Sequence, residues 1–132
     1  MSTLVDSSVL LDIMAPSCWR EWSEQQLASA IDAGDVAINR VVYAEVAVGF
    51  ASREALERAL QGAGIKRLSL AWSCAWLVAE AFAAYRRAGG RRTLPLPYFF
   101  IGAHAAASGL KLLTRDPARV RSYFPDVELI AP

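Results

Sequence analysis

Short apolar runs recur along the chain and are separated by segments long enough to form helices. The runs predict strands at Thr3–Val5, Val36–Ile38, Leu110–Leu113 and Val127–Ile130, with a weaker one at Ile65–Leu68. The intervening segments predict helices at Trp22–Ala33, Val41–Phe50, Arg53–Gln61, Ala71–Ala88 and Phe99–Ser108. Because strands and helices alternate, we expect an α/β fold in which helices flank a central parallel sheet of four to five strands. Residues 1–132 are expected to form one domain.

One predicted helix is unusual because it is apolar almost all round. The segment Ala71–Ala88 carries Trp72 and Trp76 on one side and Cys74 and Val78 on another. Such a helix is either central in the fold or part of an interface. We expect Trp72 and Trp76 to pack in the core.

The composition narrows the class of protein. Hydrophobic residues make up 55% of the chain and charged residues 20%, a balance that favours a compact folded domain over disorder. The formal net charge is only +1, so any nucleic acid would have to bind at a local basic site. The arginines between Arg86 and Arg121 suit phosphate recognition, although they equally fit a solvated surface.

The cysteine count and the first residues predict a cellular compartment. Cys18 and Cys74 are too few for a disulfide framework, and the chain starts without the basic and apolar regions of a secretory signal. No apolar stretch reaches the ~20 residues that a membrane span needs. We therefore expect a cytoplasmic protein.

Three acidic residues stand where ligand chemistry is expected. Asp6 follows the first strand and Asp116 follows the strand that ends at Leu113, so both lie at the carboxyl ends of strands, where open parallel sheets bind ligands. Each has an alternative interpretation as a helix cap. Glu45 shares a helical face with apolar residues, which predicts a partly buried carboxylate with no basic partner at helical spacing.

If these acids converge, they form an oxygen-lined, negatively charged pocket of the kind that Mg²⁺ or Mn²⁺ prefers. Thr114 adds a hydroxyl beside Asp116, and Ser7 adds one beside Asp6. A metal there can activate water for phosphodiester hydrolysis without a nucleophilic side chain. That chemistry fits a chain with no usable Ser-His-Asp or Cys-His set. The only histidine, His104, is expected to be packed or hydrogen-bonded rather than a general base.

Four segments carry a family resemblance. They are Val5–Leu10, Ile38–Val46, Phe99–Ala105 and the tail Leu113–Pro132. Together they resemble the PIN domains of VapC-type toxins, the ribonucleases of type II toxin–antitoxin systems. The tail is the most specific part, because it matches over a long run. The resemblance implies a PIN-domain fold and a magnesium-dependent endoribonuclease that cleaves RNA.

The resemblance also implies a set of site residues. In that family four acids hold one or two divalent metals, and Asp6, Glu45 and Asp116 match three of them as catalytic and metal-binding residues. The fourth is an Asp after a Leu-Pro pair, and Tyr98 stands at that position here. A phenol is neutral at pH 7 and bulkier than a carboxylate. We therefore expect weak metal binding and slow or absent cleavage.

Other interpretations stay open at this point. Tyr98 could pack on the core beside Phe99 and Phe100 without touching a pocket. The chain could instead be a catalytically inactive PIN-fold binding module that retains its antitoxin and RNA contacts. A phosphoacceptor receiver domain, another α/β class with acids at strand ends, is disfavoured because Asp6 has no neighbouring acid.

The resemblance implies partners as well. It predicts a homodimer that is neutralised by a cognate antitoxin, with Trp19 and Trp22 as candidate antitoxin contacts, although both could equally fill the core. RNA needs positive charge around the acidic pocket. The candidates for these phosphate contacts are Arg86, Arg87, Arg91, Arg92 and Arg115.

Overall fold

A five-stranded parallel sheet forms the centre of the computed structural model, which describes residues 2–89 and 96–132. The strands are β1 Thr3–Val5, β2 Val36–Ile38, β3 Lys66–Arg67, β4 Lys111–Leu113 and β5 Leu129–Ile130. Their order in the sheet is β3-β2-β1-β4-β5, and every neighbouring pair is parallel. The predicted α/β fold with a parallel sheet is therefore confirmed.

Helices flank the sheet and correspond to the predicted segments, with small shifts at their ends. They are α1 Ser7–Met14, α2 Arg20–Ala33, α3 Arg40–Ala47, α4 Arg53–Gly62, α5 Trp72–Arg87, α6 Leu96–Ser108 and α7 Ala118–Tyr123. Helix α1 was not among the predicted helices. Two starts follow local capping chemistry, because Asn39 accepts a hydrogen bond from the Val42 N–H at 3.0 Å and Ser52 accepts one from the Ala55 N–H at 3.1 Å.

The core lies on both faces of the two central strands. Leu4, Val5, Leu112 and Leu113 in β1 and β4 are fully buried, which explains why these strands appear in the sequence as continuous apolar runs. Helix α6 packs closely against this core. A Cβ at Gly102 would lie 2.6 Å from a ring carbon of Phe124, so only glycine allows this approach.

The pairing of β1 with β4 sets the position of the candidate site. Val5 lies opposite Leu113 in the ladder, and the Asp6 N–H donates a hydrogen bond to the Leu113 carbonyl at 2.9 Å. The next residues of both strands, Asp6 and Thr114, therefore leave the sheet side by side at its carboxyl edge. This edge is where parallel sheets place their ligands.

The prediction that Trp72 and Trp76 pack in the core is wrong. Trp72 is 93% exposed and Trp76 is 70% exposed. Helix α5 instead buries Cys74, Val78 and Ala81 fully, while Leu77, Phe82 and Tyr85 pack half-buried against the core. Among the described residues, no helix is long and apolar enough to cross a bilayer.

Candidate functional site

Asp6 is buried between the end of β1 and the start of α1. It occupies the N-cap position of α1 as the alternative interpretation expected, but its side chain makes no capping hydrogen bond to the helix backbone. Instead, the Ser8 hydroxyl donates to Asp6 Oδ2 at 2.9 Å and the Thr114 hydroxyl donates to the same oxygen at 2.7 Å. Hydroxyl groups thus fix the orientation of this carboxylate.

Glu45 and Asp6 lie on either side of the Ser7 hydroxyl. Ser7 Oγ is 3.0 Å from Glu45 Oε1 and 3.4 Å from Asp6 Oδ1. Burial raises the pKa of Glu45 above its ordinary value, the hydrogen bond from Ser7 partly opposes this rise, and the charge of Asp6 adds to it. The prediction that Glu45 is a partly buried carboxylate is confirmed.

Thr114 connects Asp116 to this pair through the backbone. The Asp116 N–H donates to Thr114 Oγ1 at 3.1 Å, and the same hydroxyl donates onward to Asp6. The Asp116 side chain is 59% exposed and its Oδ1 lies 3.4 Å from Arg115 Nη1. Asp116 makes no side-chain cap to α7, whose N-cap is Pro117. Its carboxylate therefore lies at the surface beside Arg115, and its backbone connects it to the Asp6–Glu45 pair through Thr114.

Asp12 is a buried acid that the sequence analysis missed. It is 4% exposed and accepts hydrogen bonds from the hydroxyls of Ser17 at 2.8 Å and Ser23 at 2.9 Å. Arg115 Nε donates to the same carboxylate at 2.8 Å, which makes a largely buried ion pair. The signal that singled out Glu45, an acid on an apolar helix face, also applies to Asp12 in α1.

Arg115 is held from three directions. Its guanidinium contacts both Asp12 and Asp116, and its backbone N–H donates to Ser8 Oγ at 3.2 Å. Most of the described hydrogen-bonding groups of Arg115 therefore contact other residues of the same chain. The contact of Arg115 with an RNA phosphate stays a prediction. It would involve the part of the guanidinium that Asp12 and Asp116 leave exposed.

Tyr98 reaches the Asp116 end of the site. It lies in the first turn of α6, and its hydroxyl donates to the backbone carbonyl of Asp116 at 3.2 Å. Its ring also packs edge-on against Phe99, with ring centroids 6.0 Å apart. Tyr98 thus combines core packing with a contact to the segment that carries Asp116.

His104 takes the hydrogen-bonded role that was expected. It is 2% exposed, and its Nδ1 lies 3.1 Å from the Asn39 side-chain nitrogen. Burial lowers the pKa of His104 below its ordinary value, so the ring accepts this hydrogen bond in its neutral form. Asn39 also caps α3, the helix that carries Glu45. His104 therefore supports the start of α3.

The donor set supports a hard divalent cation at the Asp6–Glu45 pair. Within residues 2–89 and 96–132, no three His, Cys, Asp or Glu side chains form a group that could hold a metal ion. The two carboxylates nevertheless lie side by side, and no described residue forms an ion pair with either. Mg²⁺ is commonly held by one or two carboxylates, with waters and substrate phosphates filling the remaining positions. The pair fits that requirement.

The remaining predicted contacts lie on the surface. Trp19 is 38% exposed and packs edge-on against Trp22, which is half-buried on the core, with ring centroids 6.2 Å apart. Arg86 and Arg87 end α5 in exposed positions. Arg91 and Arg92 lie outside the described residues.

The PIN domain family profile matches residues 3–123. The chain belongs to the PIN domain family. PIN domains are generally nucleases, and they typically use divalent metal ions.

Solved structures share this PIN fold at low sequence identity. The complex VapBC2 from Rickettsia felis, bound to a promoter DNA fragment, matches with a TM-score of 0.75 and 15% identity over 99% of this chain and 98% of that chain. FitAcB from Neisseria gonorrhoeae matches with a TM-score of 0.69 and 20% identity over 97% and 96% of the two chains. VapBC-1 from nontypeable Haemophilus influenzae matches with a TM-score of 0.75 and 15% identity over 99% of this chain and 98% of that chain. No curated protein sequence matches the chain.

Proposed function

We propose that this PIN domain is the toxin of a type II toxin–antitoxin system and a magnesium-dependent endoribonuclease, with Mn²⁺ as a second usable metal. The observation that carries the proposal is the Asp6–Glu45 pair. Two adjacent carboxylates at the carboxyl edge of a parallel sheet, joined by one serine hydroxyl and paired with no described cation, are a site for a divalent metal. The family supplies the general nuclease role.

Each residue of the site has a distinct role in this proposal. Asp6 and Glu45 hold the metal, and Asp116 completes the site from the solvent side. When bound, the metal supplies activation of water and neutralises charge that builds on the scissile phosphate. Ser7 and Thr114 hold the carboxylates in place through their hydroxyl groups. Because the chemistry resides in metal and water, no nucleophilic side chain is needed.

Tyr98 is proposed to impair this activity. Its neutral phenol takes the place of a fourth acid and contributes no charge to metal binding. Its hydroxyl contacts the Asp116 carbonyl, so the ring stands at the exposed end of the site. The alternative function is a catalytically inactive PIN-fold binding module that keeps its antitoxin and RNA contacts. The same Asp6–Glu45 pair would then lack activity because Tyr98 removes the fourth ligand.

RNA is proposed to reach the site across basic side chains. Arg86 and Arg87 are exposed at the end of α5, and Arg115 borders Asp116. Arg91 and Arg92 belong to the same proposed set. Phosphate contacts of this kind hold a strand in position without identifying its sequence.

A cognate antitoxin and a second copy of the chain are the proposed protein partners, and the chain is proposed to act in the cytoplasm. The solved structures of similar fold include VapBC complexes, which supports an antitoxin partner. Trp19 and Trp22 are proposed to contact it. The exposed Trp72 and Trp76 on α5 suit a homodimer interface, because large aromatic side chains are enriched at interfaces.

Cleavage of structured RNAs by purified protein tests the proposed activity. We expect the Tyr98→Asp variant to cleave in Mg²⁺ and to stop when EDTA is added. Adding Asp6→Asn to Tyr98→Asp should abolish cleavage, because Asn cannot supply the charge that Asp6 contributes. If Tyr98→Asp shows no magnesium-dependent cleavage, the proposed activity is wrong and the binding module is favoured.

A further inference from the structure

A cavity of about 700 Å³ opens between α3, α4 and the carboxyl ends of β2 and β3. We call it the α3–α4 pocket. It does not include Asp6 or Glu45 in its lining, so it is separate from the acid pair. Its volume lies within the roughly 300–1,000 Å³ of typical ligand sites.

The floor of the α3–α4 pocket is apolar and partly aromatic. Ile38 and Leu56 are buried beneath it, while Phe50 and Leu68 remain half-buried and line its wall. Half-buried aromatic and aliphatic groups leave apolar surface that a flat ligand group can cover. The floor therefore suits a planar, largely apolar group.

The rim of the pocket is cationic. Arg40, Arg53 and Arg67 line it together with a single acid, Glu57. Arg67 is paired with Glu57, which also accepts a hydrogen bond from the Tyr43 hydroxyl at 2.9 Å. Arg53 lies 3.8 Å from the same carboxylate, a contact that leaves its side chain 82% exposed. In the described part of the chain, Arg40 forms no ion pair, so the rim carries excess positive charge.

The pocket and the acid pair share one edge of the sheet. The pocket lies at the carboxyl ends of β2 and β3, and β2 is hydrogen-bonded to β1, which ends at Asp6. Neighbouring strands are about 4.8 Å apart. Helix α3 links the two places, because Arg40 begins it beside the pocket and Glu45 follows on the same helix. A ligand that lies along this edge can therefore occupy both.

We propose that the α3–α4 pocket binds one nucleotide of single-stranded RNA, adjacent to the phosphate that is held at the acid pair. This inference rests on the proposed ribonuclease function. The base stacks on Phe50, and the Arg67 guanidinium, which lies 5.1 Å from the Tyr43 ring centroid, lines the same pocket. Arg40 and Arg53 contact the flanking phosphates. Stacking on aromatic and guanidinium planes, combined with arginine contacts to phosphate, is the usual chemistry of single-stranded RNA recognition.

Binding of fluorescein-labelled single-stranded RNA to the full chain, measured by anisotropy in EDTA, tests the pocket without requiring cleavage. Arg40→Gln and Arg53→Gln should each lower the slope of log affinity against log salt by about 0.7, the value for one lost phosphate contact. Phe50→Leu should weaken binding about tenfold. Lys111→Gln, at the amino end of β4, is the matched charge control and should change neither quantity.

Two further probes separate the base from the backbone and RNA from protein. An abasic strand of the same length should bind wild type and Phe50→Leu equally, because it has no base to stack. A glutamate peptide of equal charge should compete poorly. The pocket inference is overturned if all variants bind RNA like wild type, if Phe50→Leu weakens the abasic strand equally, or if the peptide competes as well as RNA. Failure of wild type to bind any RNA would overturn the proposed substrate as well.

Discussion

The two ends of the acid site are built differently. At the inner end, Asp6 and Glu45 are buried or half-buried and are fixed by hydroxyl groups, with no cation from a described residue beside them. At the outer end, the Asp116 side chain is 59% exposed and lies beside Arg115, and the Tyr98 hydroxyl donates a hydrogen bond to the Asp116 backbone carbonyl. In the proposed site, the inner end is preorganised for a cation, whereas the outer end has one acid already paired and a phenol where the family resemblance places another acid.

In the proposed metal site, this difference would allow the architecture to persist while metal affinity is lost. The hydroxyl contacts of Ser8 and Thr114 orient Asp6 without help from the outer end. Negative charge at the outer end depends on Asp116 alone, and Arg115 partly cancels it. We therefore expect changes at the inner end to cost most of the metal affinity. Changes at the outer end should alter the metal affinity by a smaller factor.

The largest expected effect separates the two ends directly. Asp6→Asn should weaken Mn²⁺ binding by about 100-fold or more, because it removes a buried ligand charge, whereas Asp116→Asn should cost about tenfold. Isothermal titration calorimetry would measure both. Asp35→Asn, which removes an exposed partner of Lys66, is the control and should leave the affinity unchanged. Equal losses for Asp6→Asn and Asp116→Asn would contradict the distinction between the ends.

The second prediction concerns the ion pair that supports the outer end. Asp12→Asn should lower the free energy of unfolding by about 2–3 kcal/mol, because a buried carboxylate loses charge-assisted hydrogen bonds and Arg115 loses its partner. Chemical denaturation would measure this loss. Asp35→Asn breaks a surface pair with Lys66 and should cost less than about 1 kcal/mol. Similar costs for both variants would mean that the Asp12–Arg115 pair is no more important than a surface pair.

The smallest expected effect is the pH dependence of Glu45. The pKa of Glu45 is raised in the folded protein above the ordinary 4.5 of the unfolded chain. The folded state therefore binds the Glu45 proton more tightly than the unfolded state does. The contribution of protonated Glu45 to the free energy of unfolding is therefore present at low pH, and it is lost as the pH rises through the pKa of the folded protein. Without metal, Glu45→Gln should be more stable than wild type near pH 7, and this advantage should shrink towards about pH 4. Thermal unfolding at several pH values would show this trend, and a pH-independent difference would contradict it.

The sequence predicted those parts of the site that depend on local rules. Asp6 follows a continuous apolar run, and Glu45 interrupts an apolar helix face, so each could be identified from its neighbours. The pairing of β1 with β4 then brought Thr114 to Asp6, as expected for residues at the carboxyl ends of parallel strands. The fold itself followed from the alternation of strands and helices.

The parts that could not be predicted depend on contacts between distant segments. Arg115 and Asp12 are 103 positions apart, so no spacing connects them. For α5, the sequence shows apolar residues on every side, and only its packing in the fold decides that Cys74 is buried and Trp72 is exposed. The α3–α4 pocket likewise arises from how two helices meet the sheet edge.

The affinity of Mn²⁺ for wild type, Tyr98→Asp and Tyr98→Phe tests most directly whether the inner acid pair binds metal and Tyr98 weakens it. Calorimetric titration should give weak binding to wild type and binding at least about tenfold tighter to Tyr98→Asp, because a fourth carboxylate restores charge at the outer end. Tyr98→Phe removes the hydroxyl without adding charge and should match wild type. Equal affinities for wild type and Tyr98→Asp, or no Mn²⁺ binding by either, would contradict the account.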